Sequence, residues 1–287
     1  MRLIPPQERF FNFEASDRLK GFFLKACEVF KDYRFIVLPS LEVYQEGLSG
    51  ESPFVVGSLQ DGGLLCLRQD WTVSLARFLS LQRELPLPLR VFYWGNTFSP
   101  GGELESFQVG VEFLGDTSVG AEVEVLQAIG DYLRACGTQE LTLSLGHVAI
   151  VEEMLRECGH GYREAVLEKN FSAICHVPPL MDLLLAQGGL EVLESFSGKY
   201  PQFSPHCQHL AQVASELKGF KVVFDLSEIR PKDYYTGLVF EFYHPKVGQP
   251  VAGGGRYDRL YKNLGRDICA FGGAVYLDPL LEVVSCV

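Results

Sequence analysis

The stretch from Lys221 to Asp258 constrains the fold most, because it combines two strand-like runs with a polar cluster between them. Residues 221–226 and residues 238–243 are rich in β-branched and aromatic side chains, so both are predicted to be strands. The segment between them contains two cations, a carboxylate and two phenols, namely Arg230, Lys232, Asp233, Tyr234 and Tyr235.

This polar cluster suits the recognition of a small zwitterion, since each of its groups can make a directed hydrogen bond. The glycine triplet at 253–255 lets the backbone approach a ligand or a neighbouring strand, because no Cβ atom stands in the way. A plainer interpretation is also open, in which the cluster is the polar end of a β-hairpin and the glycines form a bulge.

Size, charge and hydropathy exclude several classes of protein. The 287 residues predict one large or two modest domains, and a hydrophobic content of 47% is enough for a sizeable core. A net charge of -11 argues against a broad nucleic-acid surface. No apolar run is long enough to span a membrane, and the early proline pair and charges are unlike a signal peptide.

The eight cysteines are scattered and form no CxxC pair, so we expect reduced thiols and a cytoplasmic protein. Five residues are of the types that bind zinc, namely Cys175, His176, His206, Cys207 and His209. These residues lack zinc-type ligand spacing, so the sequence predicts no metal site. It also contains no nucleotide-binding or hydrolase motif, and no cofactor is predicted.

The remaining chain alternates irregularly between predicted strands and helices. Strands are predicted at 35–38, 64–68, 90–94, 108–114, 141–145 and 270–276. Helices are predicted at 19–30 with Ser16 or Asp17 as cap, at 73–81, 122–136 and 259–264, and from a capping Asp278 onward. The segment 46–53 is predicted to be a loop. This order indicates an α+β fold with a mostly antiparallel sheet flanked by helices.

Two further segments bear on the site. In residues 108–114 the period of two places Gln108, Gly110 and Glu112 on one face, which is either the floor of a ligand site or a solvated surface. Residues 148–217 contain several helix-like runs and few β-branched ones. We therefore predict a small helical insertion within the sheet domain.

Four separated motifs, in order, resemble the histidine-binding segments of the catalytic domain of class II histidyl-tRNA synthetases. They are LRQDWT, QVGVE, RPKDYYTGLVFE and AGGGRYD. The LPSLE segment at 38–42 resembles the first motif of that class, whose proline lies at a dimer interface. The resemblance covers nearly the whole chain. It implies a single synthetase-like domain over residues 1–287, self-association as a dimer, and no anticodon-binding domain.

The resemblance also implies which residues would hold histidine. Asp70 matches the family's acidic residue at the substrate α-amino group, and Thr72 follows it as in the family. Gln108 and Glu112 match a pair on the floor of the sheet near the amino acid.

Three more positions follow from the same motifs. Arg230 matches an arginine tied to the activation chemistry of the family, and Tyr234 and Tyr235 match tyrosines that line the imidazole side.

The sequence departs from the family at positions where synthetases bind ATP. Ser99 and Pro279 stand where synthetases have arginines that grip ATP, and Gly102 and Leu104 stand where other arginines are expected. Serine and proline cannot form a bidentate cationic fork on phosphate. Because each lost donor costs roughly 10²–10³ in rate, two losses would reach about 10⁴, and adenylate formation is not expected.

The combination of retained amino-acid motifs and missing nucleotide-binding arginines is similar to that of the synthetase-like regulatory subunits of ATP phosphoribosyltransferase. These subunits share the LGHV stretch found here at 145–148. This resemblance implies a short-form catalytic partner in a hetero-octamer, whose activity in the first step of histidine biosynthesis requires this subunit. It also implies L-histidine as a feedback effector, and neither a nucleic-acid nor a membrane partner. A residual amino-acid-activating enzyme is the alternative, motivated by Arg230 and the glycine triplet. A stand-alone synthetase-like module is a third hypothesis.

Overall fold

The computed structural model describes residues 11–46, 53–100, 103–230 and 232–284. The strands are β1 (Arg34–Ile36), β2 (Leu41–Val43), β3 (Val55–Ser58), β4 (Leu64–Leu67), β5 (Leu89–Phe98), β6 (Glu105–Leu114), β7 (Thr142–His147), β8 (Gln187–Gly188), β9 (Lys221–Asp225), β10 (Leu238–Tyr243), β11 (Ala252–Arg256) and β12 (Ala270–Tyr276). The helices are α1 (Phe13–Val29), α2 (Trp71–Ser80), α3 (Val119–Ala135), α4 (Val148–Cys158), α5 (Arg163–Leu167), α6 (Phe171–Ile174), α7 (Pro178–Leu185), α8 (Leu190–Lys199), α9 (Ser204–Glu216), α10 (Asp258–Asn263) and α11 (Leu277–Val283).

Nine strands form one sheet in the order β1-β5-β6-β12-β11-β10-β7-β9-β8. The pairs β1–β5 and β7–β9 are parallel, and the other neighbours are antiparallel. This confirms the predicted α+β fold with a mostly antiparallel sheet. A second sheet, β2-β4-β3, includes two strands that the sequence did not predict, β2 and β3. Most of the predicted loop at 46–53 lies outside the described residues.

The β-hairpin interpretation of the polar cluster is wrong. Strands β9 and β10 are not partners, because β7 lies between them, parallel to β9 and antiparallel to β10. The glycine triplet is not a bulge either, since all three residues lie within β11 and are paired on both sides. The segment between the two predicted strands therefore crosses the end of β7.

Two helices begin at residues other than the predicted ones. Asn12 caps α1 by accepting from Ala15 N at 2.8 Å, so the helix starts before the predicted cap residues Ser16 and Asp17. Tyr276 precedes α11, and Asp278 lies in its first turn, where its carboxylate accepts a hydrogen bond from Phe107 N at 3.2 Å. Through this bond the carboxylate connects the start of the helix to β6.

The core has two parts, one on each face of the large sheet. The larger part packs β6 residues such as Val109 and Val111 under α1 and α3. The smaller part packs α2 and α10 against alternate residues of β5, including Val91 and Tyr93. Glu112 alternates with Val111 along β6, so it faces the smaller part of the core.

Residues 148–217 contain helices α4 to α9, two short 3₁₀ turns and the two-residue strand β8. Helices α5 and α6 are separated at Lys169, whose φ of 52° is a left-handed conformation that a helix cannot contain. Strand β8 pairs with β9 and extends the large sheet, so this segment is not purely helical. No helix in the described parts of the chain has the length and apolar character that a membrane span requires.

Candidate functional site

A cavity of about 240 Å³ opens beside α2, between the segment 230–235 and the glycine-rich strands β11 and β12. Its lining residues are Gln69, Asp70, Trp71, Thr72, Tyr93, Gln108, Arg230, Lys232, Tyr234, Tyr235, Gly253, Gly273, Ala274 and Tyr276. Six of the seven sequence-predicted site residues are in this set, and the seventh, Glu112, lies behind the wall. Residues from four separated motifs therefore meet at one place.

Asp70 is held by the start of α2. Its Oδ1 accepts a hydrogen bond from Val73 N at 3.1 Å, which caps the helix. Its Oδ2 accepts the hydroxyl hydrogen of Tyr234 at 2.9 Å. Burial and the Asp70 charge raise the pKa of Tyr234 well above its usual value, so the phenol remains a donor at neutral pH. Helix capping and the phenol together fix a carboxylate at the cavity wall.

Glu112 is fully buried beneath this wall. It accepts hydrogen bonds from Thr72 Oγ1 at 3.1 Å and from the hydroxyl of Tyr257 at 2.6 Å. Burial raises the pKa of the Glu112 carboxyl to about 8, although the hydrogen bonds from Tyr257 and Thr72 act in the opposite direction. Of the two polar residues on this face of β6, Gln108 lines the cavity directly, whereas Glu112 is linked to it through Thr72.

Arg230 crosses the end of the sheet and pairs with Glu241 of β10, and both side chains are nearly buried. Its Nη2 donates to the hydroxyl of Tyr276 at 3.2 Å. Burial lowers the pKa of Arg230, but the charges around it outweigh this effect and leave the pKa above its ordinary value. The guanidinium therefore stays charged at the cavity wall.

The tyrosine pair completes the wall. The rings of Tyr234 and Tyr235 lie 4.7 Å apart between centroids. Burial raises the pKa of both phenols, so each offers an uncharged hydroxyl and an aromatic face. Among described residues, the lining thus contains one carboxylate, two cations and several phenols, a set that matches the charges of an amino acid.

The positions assigned to lost ATP contacts lie elsewhere. Ser99 is exposed in the turn after β5, where its amide donates to Leu104 O at 3.2 Å, and Pro279 is buried in α11. Neither lines the cavity. Gly102, the third such position, lies outside the described residues.

The histidines and cysteines considered as metal ligands have other contacts. His209 Nε2 lies 2.6 Å from Glu122 Oε2, and the hydroxyl of Tyr162 lies 3.1 Å from His176 Nε2. Within residues 11–46, 53–100, 103–230 and 232–284, no group of three or more potential metal ligands is close enough to hold an ion.

Several lining residues were missed by sequence reasoning. Trp71 and Tyr93 stack with ring centroids 4.5 Å apart, and Tyr276 is the register partner of Gln108 across β12 and β6. These contacts join residues far apart in sequence, so the first needs the packing of α2 on β5 and the second needs the pairing of β12 with β6. Lys232 did carry a signal, since it belongs to the polar cluster, but no specific role was assigned to it.

Comparisons with known proteins identify relatives of this chain. A family model of histidyl-tRNA synthetase matches residues 14–280. The ATP phosphoribosyltransferase regulatory subunit of Aquifex aeolicus is 35% identical, over 96% of this chain and 75% of the relative. That of Carboxydothermus hydrogenoformans is 31% identical, over 88% of this chain and 87% of the relative.

Solved structures show the same relationship. An ATP phosphoribosyltransferase regulatory subunit/histidyl-tRNA synthetase from Bacillus halodurans has a TM-score of 0.87 at 27% identity, over 100% of this chain and 84% of that one. A chain of an ATP phosphoribosyl transferase complex from Thermotoga maritima has a TM-score of 0.71 at 21% identity, over 94% of this chain and 98% of that one. This likeness supports the fold. The predicted family resemblance is confirmed. The chain belongs to the histidyl-tRNA synthetase family, and within it to the group of ATP phosphoribosyltransferase regulatory subunits.

Proposed function

We propose that this chain is a non-catalytic, cytoplasmic regulatory subunit of ATP phosphoribosyltransferase, which binds L-histidine and provides feedback on the first step of histidine biosynthesis. The observation that carries this proposal is the composition of the cavity. One carboxylate, Asp70, and two cations, Arg230 and Lys232, are the charged groups among its described lining residues. These charges match an amino acid, whose ammonium and carboxylate need one partner of each sign.

The residues at the motif positions argue against catalysis with a nucleoside triphosphate. Phosphoryl and adenylyl chemistry relies on cations that are free to stabilise charge developing on phosphate. With Ser99 and Pro279 at the motif positions, this chain supplies none there.

A catalytic partner completes the proposed function. The curated relatives are named as regulatory subunits, and the chain shares its fold with an ATP phosphoribosyl transferase complex. We infer assembly with a short-form catalytic subunit as a hetero-octamer. Histidine regulates that assembly only if it binds two of its states with different affinities.

Self-association is part of the same proposal. Strand β1 ends the large sheet, and Phe35 within it and Val37 just after it are 47% and 74% exposed. Leu41 and Val43 of β2, further along the same segment, are 49% and 43% exposed. Exposed apolar side chains next to a sheet edge favour a protein–protein contact. In analytical ultracentrifugation, Val37→Lys should shift a dimer towards monomer, whereas Leu185→Lys, at an exposed leucine of α7, should not.

The ligand assignment is tested with Asp70→Asn. Asparagine caps a helix as well as aspartate does, so the stability of the chain should change by less than about 0.5 kcal/mol. The charge that receives the ligand ammonium is lost, so calorimetry should show histidine affinity reduced by about ten- to a hundredfold. Asp17→Asn, at an exposed aspartate of α1, is the matched control and should bind like the wild-type chain.

The partner and the absence of catalysis are tested separately. Co-expression with a short ATP phosphoribosyltransferase should yield a complex on gel filtration, and its activity should fall when histidine is added. Failure to co-elute would reject the regulatory assignment. Histidine-dependent exchange of pyrophosphate into ATP above a protein-free blank would instead support the residual synthetase alternative.

A further inference from the structure

Lys232 lies on the cavity wall opposite the start of α2, and its Nζ is 3.7 Å from Oδ2 of Asp70. The Lys232 side chain is 44% exposed, whereas that of Asp70 is 15% exposed. The lysine therefore extends from the solvent side of the cavity towards a mostly buried carboxylate.

Half of the hydrogen-bonding capacity of Asp70 is used. Oδ1 accepts from Val73 N, and Oδ2 accepts from the hydroxyl of Tyr234. Each carboxylate oxygen has two lone pairs, so each retains one acceptor site. The ammonium group of Lys232 lies on the Oδ2 side of the carboxylate.

We propose that Lys232 is a built-in competitor for the amino group of the ligand at Asp70, and that it thereby sets the affinity and selectivity of the cavity for amines. This inference rests on the proposed function, which places the ligand ammonium at Asp70. Two ammonium groups at the same carboxylate repel each other inside a partly desolvated cavity. A bound amine therefore displaces the lysine.

The side chain of Lys232 can move away from Asp70 when an amine binds. Its stem is flexible and partly exposed, so the ammonium group reaches water by rotation of its own side chain. The cost of displacement is then the loss of one partly exposed ion pair, which is small. Lys232 consequently weakens amine binding without preventing it.

A different role for Lys232 makes the opposite prediction. If its ammonium group binds the ligand carboxylate, removing the charge weakens histidine binding. Histamine has the ammonium but no carboxylate, and imidazolepropionate has the carboxylate but no ammonium. These two ligands separate the roles.

The experiment is calorimetry of the purified full chain with histidine, histamine and imidazolepropionate. The chains compared are the wild type, Lys232→Gln, Lys232→Arg and Lys20→Gln, the last at an exposed lysine of α1 that does not line the cavity. Lys232→Gln should bind histamine about three- to fivefold more tightly than the wild type, the range that a partly exposed ion pair allows. Its affinity for imidazolepropionate should not rise. Lys232→Arg and Lys20→Gln should remain within about twofold of the wild type.

Unchanged or weaker histamine binding by Lys232→Gln, in a chain that binds histidine, would overturn the role given to Lys232 and leave the proposed function intact. Absence of histidine binding by all four chains would overturn the proposed function, and this inference with it. A rise in imidazolepropionate affinity equal to that of histamine would also overturn the inference, because the effect would then not depend on the amine.

Discussion

The carboxylate of Glu112 lies where a side chain on Gly272 would begin. The two residues are cross-strand partners in β6 and β12, and an ideal Cβ atom on Gly272 would be 1.5 Å from Glu112 Oε2. A buried carboxyl beneath the cavity is thus accommodated by a glycine on the neighbouring strand. The glycine-rich sequence of β12 is a requirement of this packing.

Replacement of Gly272 by alanine should therefore disrupt the sheet beneath the cavity. Neither Glu112 nor the strand can move far, since the carboxyl is held by Thr72 and Tyr257. We expect the free energy of unfolding, measured by urea denaturation, to fall by at least about 2 kcal/mol. Gly21→Ala in α1 is the control, because no atom lies within 4 Å of its added Cβ and helix propensity predicts a gain of about 0.5–1 kcal/mol. Equal stability of the two variants would contradict the packing described here.

Glu112 should also make stability depend on pH. Its pKa rises from an ordinary 4.5 to about 8 on folding, so the folded state binds the proton more tightly. The resulting stabilisation is complete below pH 4.5 and is lost as pH rises towards 8, by up to about 1.4 kcal/mol for each pH unit. Burial also raises the pKa of Glu228, to about 7, which contributes in the same direction.

The contribution of Glu112 is isolated by comparison with Glu112→Gln, a neutral side chain of the same shape. Unfolding by urea at intervals from pH 5 to pH 9 should show the wild type losing stability relative to this variant as pH rises. Parallel pH profiles would mean that Glu112 ionises normally in the folded chain.

Gly253→Ala should weaken ligand binding while the fold is retained. The added Cβ would lie 2.5 Å from Nη2 of Arg230, so the guanidinium must shift from its place between Glu241 and Tyr276. We expect histidine affinity in calorimetry to fall about tenfold or more, the effect of one lost charge-assisted contact. Gly248→Ala has no atom within 4 Å of its added Cβ and should bind normally. A Gly253→Ala variant with wild-type affinity would show that Arg230 does not contact the ligand.

The Arg230–Glu241 pair should behave as a buried ion pair in a double-mutant cycle. Arg230→Met leaves the carboxylate of Glu241 without its partner in a nearly buried site, and Glu241→Gln does the same to the guanidinium of Arg230. Each variant should therefore have an unfolding free energy about 3–5 kcal/mol lower than the wild type. The double variant should recover most of that loss, because no lone charge remains. Additive losses, measured by urea denaturation, would show that the two side chains do not interact.

Sequence patterns predicted the strands best where strong alternation and branched residues coincide, as in β6 and β10. Alternation placed Gln108 and Glu112 on one face correctly, since the period of a strand is two. It could not show that α2 and Tyr257 cover the Glu112 end of that face, because burial depends on elements remote in sequence. The short strand β3 was missed for a related reason. Its residues are exposed, and pairing with β4 is what makes it a strand.

The order of strands has a consequence for how such a cavity can change. Because β7 separates β9 from β10, the segment 226–237 must bridge two strand spacings, about 10 Å, before the chain re-enters the sheet. About three extended residues would bridge such a gap, so most of the segment is available to place side chains on the cavity wall. In a protein built this way, substitutions at 230–235 can change which small molecule fits the cavity without changing the pairing of any strand.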